Sequence, residues 1–430
     1  MTIFFDVTDI LGFAAINPVV TGIQRGSLRI IGGAYENGYD VSGFVRHPLT
    51  GEFRAADLSF LAGGYDFSRE DFLSRFEIDD PKALWMQKKL SKYRGWSRVP
   101  RALYLKARYA VSSKTHKKIS SFSAVKNESC LRNLVLKKGD TLASLGGWGV
   151  DYVGMHALAI ENGCYTAAFV HDIFHITNQM GDYKGFRPWL MFCFKNFDII
   201  LCNSNYTKSK LDEYLRGVGI KANVCVSLYP HEFVSPKPID ATRGYALCVG
   251  TQSERKNIPR LVYSWLRVRG ELGDRTPTLV VAGAKTPEVR ACCLNTPGVT
   301  FIEHPSDVVL EQLYRGCLFT VFPSREEGWG IPIGESLWFG KPVLCASVSS
   351  MPEVGGGFAD YFDPSDPDGL LNGIKHMIDN PRQFPESIRS ELRTWNDTAA
   401  ALVGQIESLG ERSGASVSEP APRERLSAVA

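Results

Sequence analysis

Short apolar runs alternate with longer segments of helical periodicity along the first half of the chain. The runs have the length and composition of buried strands, and the segments between them place apolar residues on one face of a helix. Strands are predicted at residues 3–5, 41–45, 141–145, 166–170, 199–202 and 224–228, and helices at residues 22–37, 152–162, 188–196 and 206–215. Because strands that alternate with helices pair in parallel, this half is expected to form a parallel sheet.

The second half repeats this alternation more compactly. Strands are predicted at residues 245–249, 278–282, 299–302, 318–322 and 343–345, and helices at residues 258–269, 308–316, 332–339 and 369–379, with two more between about 382 and 409. Between the halves, residues 230–238 contain three prolines and little periodicity, which is typical of an interdomain linker.

These elements predict an α/β fold with two Rossmann-like parallel-sheet domains that face each other across a cleft. The domains would cover residues 1–232 and 233–385, and the helices within residues 386–409 are expected to pack back toward the first domain. A chain of 430 residues is long enough for two such cores. Residues 410–430 are rich in Ser, Ala, Pro and charge, which predicts a disordered tail.

Composition narrows the class of protein. Apolar residues make up 44% of the chain and charged residues 22%, as in globular proteins, and a net charge of +3 gives no support for nucleic-acid binding. The ten cysteines are scattered without a Cys-x-x-Cys pair, so we interpret them as small core residues in a reducing cytosol. The start of the chain has no basic region ahead of its apolar residues, and no apolar run reaches the ~18 residues of a membrane span. We therefore expect a cytoplasmic protein, either free or peripheral at the inner face of the cell membrane.

Polar and glycine-rich clusters follow the predicted strands. They are Thr21-Gly22, Gly146-Gly147-Trp148, His171-Asp172, Asn203-Ser204, Gly250, the segment from Ser324 to Gly330, and Ser349-Ser350. Ligands of parallel sheets bind beyond the carboxyl ends of the strands, so these clusters together favour one site between the domains.

Two glutamates, Glu327 and Glu335, stand with seven residues between them at a predicted strand-to-helix corner. Pro332 suits the first turn of a helix, and Gly328 and Gly330 let the backbone approach a ligand. The unpaired N–H groups of a helix start suit a phosphate, and the two carboxylates could accept hydrogen bonds from the hydroxyls of a nucleotide sugar. The alternative is a charged loop followed by a surface helix.

A basic pair, Arg255 and Lys256, lies between another predicted strand and the helix that follows it. Gly250 allows the chain to turn sharply out of the strand. Two cations near a helix start suit a diphosphate, because they offset its charge when it leaves. The alternative is a solvated basic loop.

Three further positions are candidates. His171 could hydrogen-bond a sugar near its reacting carbon and Asp172 could orient it, although a core histidine capping a strand end is the alternative. The helix start at Gly22 could offer N–H groups to phosphate, although an N-cap by Thr21 explains it equally well. The backbone around Ser350 could approach the phosphates or the sugar.

The Glu–seven residues–Glu element, with an aromatic residue between its glycines, resembles the signature of the retaining glycosyltransferases of family 4, which have the GT-B fold. The resemblance implies that Glu327 lies near the donor sugar and that Glu335 holds the ribose hydroxyls. That family more often has Phe where this chain has Trp329, and many members have Arg where it has Thr251. On this resemblance the catalytic residues are His171 and Glu327. The donor-binding residues are Gly22, Gly250, Arg255, Lys256, Ser324, Gly328, Trp329, Gly330, Glu335 and Ser350, with Arg25 and Asp172 on the acceptor side.

The resemblance also implies an activity. The Val-Gly-Thr…Arg-Lys-Asn version of the basic motif looks most like bacterial mannosyl- or rhamnosyltransferases of surface polysaccharide assembly, such as lipopolysaccharide or exopolysaccharide. The expected reaction moves a hexose with retention, and GDP-mannose is the favoured donor and a glycan or lipid-linked molecule the acceptor. A nucleotide-sugar 2-epimerase and a catalytically silent glycan-binding subunit are the alternatives.

No metal cofactor is expected. Asp366-Pro-Asp368 is the only Asp-x-Asp sequence, it suits a turn that caps a helix, and no His, Cys or Asp cluster has the spacing of metal ligands.

Residues 81–127 form a basic segment with thirteen Lys or Arg, no Asp or Glu, and interleaved Trp and Tyr. Such a segment could lie on an anionic membrane, where each basic residue contributes about 1 kcal/mol. The alternatives are that the segment binds an anionic acceptor or nucleic acid, or that it forms a solvated helical pair packed on the first domain.

Overall fold

The computed structural model describes residues 1–15, 17, 20, 22–46, 52–78, 129–146, 151–174, 185–234, 244–250, 254–283, 296–380 and 384–415 of the chain. Its strands form two sheets, one in each half. The first sheet contains β1 (Ile3–Asp6), β2 (Val41–Arg46), β3 (Phe53–Ala56), β4 (Leu131–Asn133), β5 (Thr141–Ser144), β6 (Tyr165–Val170), β7 (Ile199–Cys202) and β8 (Val224–Val226). The second contains β9 (Tyr245–Val249), β10 (Thr278–Ala282), β11 (Val299–Ile302), β12 (Cys317–Phe322), β13 (Val343–Ala346) and β14 (Ala359–Phe362).

The first sheet has the order β4-β3-β2-β1-β5-β6-β7-β8. Its neighbouring strands are parallel from β2 through β1, β5, β6 and β7 to β8. At its centre, Ile3 of β1 pairs with Val41 on one side and Thr141 on the other. All four residues of β1 are buried, because a central strand of such a sheet is covered on both faces. The antiparallel edge formed by β3 and β4 was not predicted from the sequence.

The second sheet has the order β11-β10-β9-β12-β13-β14, and all of its strand pairs are parallel. Two domains built on parallel sheets confirm the predicted fold class. The five strands predicted for this half are present with bounds that agree within a residue, and β14 is an additional edge strand.

Helices pack on the faces of both sheets. In the first half they are Thr8–Ala14, Gly22–Glu36, Arg69–Arg75, Tyr152–Asn162, Phe186–Asn196 and Asn205–Val218. In the second half they are Ile258–Leu272, Asp307–Gly316, Ile331–Trp338, Met351–Gly355 and Gly369–Asp379, followed by Trp395–Ala415. Several begin at a side-chain cap that satisfies a free N–H group, as where Ser204 accepts from the Thr207 N–H and Ser306 from the Val309 N–H.

The chain crosses between the domains twice, and the two crossings are bonded to each other. The N–H of His231 donates to the carbonyl of Arg393 at 2.9 Å, and the N–H of Arg393 donates to Nδ1 of His231 at 3.1 Å. Nε1 of Trp395 donates to the carbonyl of Glu232 at 3.1 Å. These bonds fix the point from which the last helix starts.

The last helix, Trp395–Ala415, packs on the first-domain helix Gly22–Glu36. The helices approach so closely that a Cβ atom at Gly33 would lie 2.9 Å from Oδ1 of Asn396 and 3.2 Å from Cβ of Ala399. The helix continues to Ala415, past residue 409 where the helical pattern was predicted to end. The predicted disordered tail therefore starts too early, and residues 416–430 lie outside the described residues.

Candidate active site

A cavity of about 380 Å³ lies between the carboxyl ends of the two sheets. Most of the sequence-predicted site residues line it: Gly22, Arg25, His171, Asp172, Gly250, Arg255, Lys256, Glu327, Gly328, Trp329, Gly330 and Glu335. Two more, Ser324 and Ser350, are buried behind its wall. Thr21, Thr251 and the basic segment 81–127 lie outside the described residues.

Glycines shape the wall of the cavity at three turns. Gly250 and Gly330 have φ angles of +149° and +99°, which residues with a Cβ atom rarely adopt. Gly328 has a different reason, because a Cβ atom there would lie 2.2 Å from the carbonyl oxygen of His171 in the first domain. Glycine at this position is what lets the loop between β12 and the next helix close against the opposite domain.

Glu327 is held by the basic pair of its own domain. Nζ of Lys256 lies 2.6 Å from its Oε1, and Nη1 of Arg255 lies 2.5 Å from its Oε2. Burial would raise the pKa of this carboxyl, but the charges of Lys256 and Arg255 and hydrogen bonds from Lys256 and Ser324 lower it to about 2. Glu327 is therefore ionised at neutral pH.

Arg255 also contacts the first domain. Its guanidinium carbon lies 4.7 Å from the ring centroid of Phe174, and its Nη1 donates to the carbonyl of Glu326. Stacking on an aromatic face fixes the plane of the guanidinium and directs its donors. Phe174 thus helps to orient Arg255 where the two domains meet.

Glu335 sits in the second turn of helix Ile331–Trp338 and is held from both sides. Nη2 of Arg25 in the first domain donates to Oε1 at 2.6 Å, and the hydroxyl of Tyr314 donates to Oε2 at 2.8 Å. Nη1 of Arg25 also donates to Asp307 at 3.1 Å. Burial raises the pKa of Glu335, and the Arg25 charge and the Tyr314 hydrogen bond oppose this rise without cancelling it.

His171 uses both ring nitrogens inside the first domain. Nε2 lies 2.8 Å from the carbonyl of Leu145, which can only accept, so Nε2 carries the hydrogen. Nδ1 then accepts from the Tyr229 hydroxyl at 2.9 Å. Burial lowers the pKa of His171 to about 4, so the ring is neutral at physiological pH. A role of this ring in sugar binding stays a prediction, and it would require one of these hydrogen bonds to be exchanged.

Hydrogen bonds from the following turn support the glutamate loop. The single hydrogen of the Ser350 hydroxyl is shared between two carbonyls, that of Trp329 at 2.8 Å and that of Glu327 at 3.0 Å. The N–H of Glu327 donates to Oγ of Ser349 at 3.0 Å. In this conformation the Ser350 side chain supports the loop from behind.

A second set of contacts joins the domains beside the cavity. Oγ of Ser204, which caps helix Asn205–Val218, donates to the carbonyl of Gly328 at 2.6 Å. The N–H and the side-chain amide of Asn205 donate to Oε1 of Glu353 at 2.9 and 2.7 Å. A carboxylate of the second domain thus faces the positive end of a first-domain helix, where it is electrostatically stabilised.

Sequence reasoning did not identify Phe174, Tyr229 or Tyr314 as parts of the site. Each contacts a predicted site residue from a position that its local sequence does not mark. Phe174 lies two residues after Asp172, shortly beyond the end of β6, and this position could have indicated that it belongs to the site. Tyr314 lies in an ordinary amphipathic helix, where nothing in the spacing distinguishes it from a core residue.

The described part of the chain contains neither a metal-binding cluster nor a membrane-spanning helix. There, no group of three or more His, Cys, Asp or Glu side chains is arranged to hold a metal ion. Asp366 accepts the N–H of Asp368 at 2.9 Å, in the turn ahead of helix Gly369–Asp379. No helix among the described residues is both long enough and apolar enough to cross a bilayer.

A comparison with protein families finds a match in the second domain, and a comparison with known proteins finds several relatives. Residues 243–380 match the family model described as glycosyl transferases group 1. The chain is 33% identical over 144 residues to O-antigen chain mannosyltransferase B of Escherichia coli. The aligned stretch covers 32% of this chain and 38% of that protein. It is 26% identical over 227 residues to O-antigen chain mannosyltransferase RfbU of Salmonella typhimurium, and this aligned stretch covers 51% of this chain and 61% of that protein. The chain thus spans less than two thirds of the length of either relative.

Solved structures resemble the whole chain at low sequence identity. Sucrose-phosphate synthase from Thermosynechococcus elongatus has a TM-score of 0.57 at 14% identity, covering 96% of this chain and 99% of that one. HepE of Anabaena, solved in complex with UDP and glucose, has a TM-score of 0.54 at 14% identity, covering 97% of this chain and 100% of that one. These likenesses concern the fold, and they identify it as GT-B.

Proposed function

We propose that this protein is a retaining glycosyltransferase that moves a hexose from a nucleotide diphosphate sugar to a glycan or lipid-linked acceptor. The observation that carries the proposal is the convergence of Arg255, Lys256, Glu327 and Glu335 on one cavity between the domains. The match of the second domain to group 1 glycosyl transferases and the similarity to two mannosyltransferases support this class. The UDP and glucose bound to HepE support a nucleotide sugar as the ligand.

Counting contacts with the described residues, the basic pair has donors left for a diphosphate. Lysine carries three N–H donors and arginine five, and the contacts with Glu327 and Glu326 engage only some of them. Charge-assisted hydrogen bonds from the others would stabilise the negative charge that grows on the diphosphate as the glycosidic bond breaks. The proposal assigns this work to Arg255 and Lys256 and not to a metal ion.

Glu327 is suited to stabilise charge and not to remove a proton. A carboxylate with a pKa of about 2 is a weak base at neutral pH. It can accept hydrogen bonds from sugar hydroxyls and offset the positive charge that develops on the sugar ring. The bond from the sugar carbon to the phosphate oxygen breaks and a bond to the acceptor oxygen forms on the same face. The acceptor proton goes to the departing phosphate.

Mannose is the proposed sugar and GDP-mannose the proposed donor, for a reaction in surface polysaccharide synthesis. Two relatives carry the name O-antigen chain mannosyltransferase, and the Val249-Gly-Thr…Arg-Lys-Asn motif favours the same donor. The comparisons do not favour the 2-epimerase or the silent glycan-binding subunit.

The test is a transfer assay across a panel of nucleotide sugars, with and without a glycan acceptor. Lys256→Ala and Glu335→Ala should weaken nucleotide binding, and Glu327→Ala should mainly lower turnover, by about a hundredfold for a lost electrostatic contact. Lys375→Ala is the matched control, because this lysine pairs with Glu271 in the same domain, away from the cavity. Wild-type rates in all three site variants would refute the site.

The same panel separates the other functions. Sugar interconversion without an acceptor would indicate an epimerase, and silence with every donor would indicate a binding subunit.

Docking of residues 81–127 on a membrane is a further part of the proposal. It predicts flotation with anionic liposomes and not with neutral ones, and equal flotation with both would remove it.

A further inference from the structure

Glu335 is almost fully buried, and each of its carboxylate oxygens has a protein partner. Its side chain is 4% exposed. Oε1 receives Nη2 of Arg25 at 2.6 Å, and Oε2 receives the hydroxyl of Tyr314 at 2.8 Å. The residue proposed to hold the nucleotide ribose is therefore engaged on both sides by side chains of the protein itself.

The two partners differ in how easily they can leave. Tyr314 belongs to the same domain as Glu335, is fully buried, and stacks on Phe339 with ring centroids 5.5 Å apart. Arg25 reaches across from the first domain and has a second acceptor in Asp307 at 3.1 Å. Arg25 can therefore release Glu335 and keep a carboxylate partner, whereas the Tyr314 ring is fixed by its packing.

Arg25 and a ribose would compete for the same oxygen. A guanidinium carries only donors, and a hydroxyl that binds a carboxylate must also donate. Arg25 and Glu335 line the same cavity, so the guanidinium lies on the side from which a ligand would arrive. The oxygen has a second lone pair, but with only 4% of the Glu335 side chain exposed and Nη2 of Arg25 at 2.6 Å, the guanidinium occupies the space that a ribose hydroxyl needs, so a ribose that binds Glu335 has to displace Arg25.

Resting on the proposed function, we propose that Glu335 exchanges Arg25 for the hydroxyls of the nucleotide ribose when the donor binds, while Tyr314 keeps the carboxylate in place. Arg25 is then a competitor that the donor displaces, and Tyr314 is a positioning residue. The two side chains donate to the same carboxylate at nearly equal distances, yet their removal should act on nucleotide affinity in opposite directions.

The experiment measures the Kd of GDP and of UDP, each alone, by calorimetry. Arg25→Met should bind nucleotide about tenfold more tightly than wild type, and Tyr314→Phe about tenfold more weakly, the size of one charge-assisted hydrogen bond. Arg29→Met is the control for the first variant, since Arg29 lies one turn further along the same helix and its Nη1 has no hydrogen-bond partner among the described residues. Tyr245→Phe is the control for the second, since its hydroxyl donates to the carbonyl of Leu313 at 2.9 Å.

The outcomes separate this inference from the proposed function. Weaker or unchanged binding by Arg25→Met in a protein that binds nucleotide overturns the exchange and leaves the glycosyltransferase proposal intact. A wild-type protein that binds neither GDP nor UDP overturns both. If Arg25→Met fails to fold, Arg25→Lys replaces it, and the expected change is smaller with the same sign.

Discussion

The two glutamates of the stretch from residue 327 to residue 335 have opposite electrostatic environments. Glu327 is neutralised by Lys256 and Arg255 of its own domain, and its pKa falls to about 2. Glu335 is held by Arg25 of the other domain and by the neutral hydroxyl of Tyr314, and burial raises its pKa. The first carboxylate keeps its ionic partners however the domains are arranged, whereas the second keeps its ionic partner only while they stay together.

The largest expected effect is a difference in stability between two matched substitutions. Glu327→Gln should lower the free energy of unfolding by about 3–5 kcal/mol, because it leaves two partly buried cations without their carboxylate. Glu335→Gln should change it by less than about 1 kcal/mol, because the amide removes a buried charge whose ionisation opposes folding, Arg25 keeps Asp307, and glutamine can still accept from Tyr314. Urea unfolding at about pH 7 measures both, and equal losses would contradict the contrast.

The pH dependence of the two carboxylates should have opposite signs. The pKa of Glu327 is lowered from 4.5, so its stabilisation is complete above pH 4.5 and is lost as the pH falls toward about 2. The pKa of Glu335 is raised from 4.5, so its ionisation opposes folding, and this penalty grows as the pH rises through the shifted value. Unfolding of wild type and the two glutamine variants from about pH 3 to about pH 8 measures the difference at each site. Parallel curves for the two variants would disprove the assignment.

The smallest expected effect concerns Trp329, which lies between the two carboxylates. Its Nε1 donates to the carbonyl of Pro230 in the interdomain crossing at 3.1 Å. Trp329→Phe removes this buried hydrogen bond and should lower the free energy of unfolding by about 1 kcal/mol. Because phenylalanine keeps an aromatic ring in the wall of the cavity, nucleotide affinity should fall less than in Lys256→Ala. A loss of affinity comparable to that of Lys256→Ala would show that the indole acts on the donor as well.

The sequence predicted the second domain better than the first. Each strand from β9 to β13 is a compact apolar run between helical segments, and such runs have few alternatives to a buried parallel strand. In the first domain, helix Thr8–Ala14 and the edge strands β3 and β4 were missed. Edge strands depend on pairing with a neighbour that lies far away in sequence, and Arg54 interrupts the apolar pattern of β3.

For the candidate site, the sequence predicted which residues line the cavity, but not which of them contact each other. Strand ends, glycines and the basic pair marked residues that line one cavity. The Arg25–Glu335 pair joins residues 310 positions apart, and Glu353 contacts Asn205 across 148 positions. Neither contact can be predicted from the local sequence, because each forms only where the two folded domains meet. His171 illustrates the same limit, since its two ring partners come from Leu145 and Tyr229.

Helix Trp395–Ala415 has a consequence for biosynthesis. On the ribosome the amino-terminal half emerges first and begins to fold while later residues are still being added. Gly26 and Gly33 on helix Gly22–Glu36 lie against Trp395 and Ala399, and until translation reaches those residues this surface has no cover. The flank of the first domain around Gly26 and Gly33 is therefore covered only after the whole second domain has been translated.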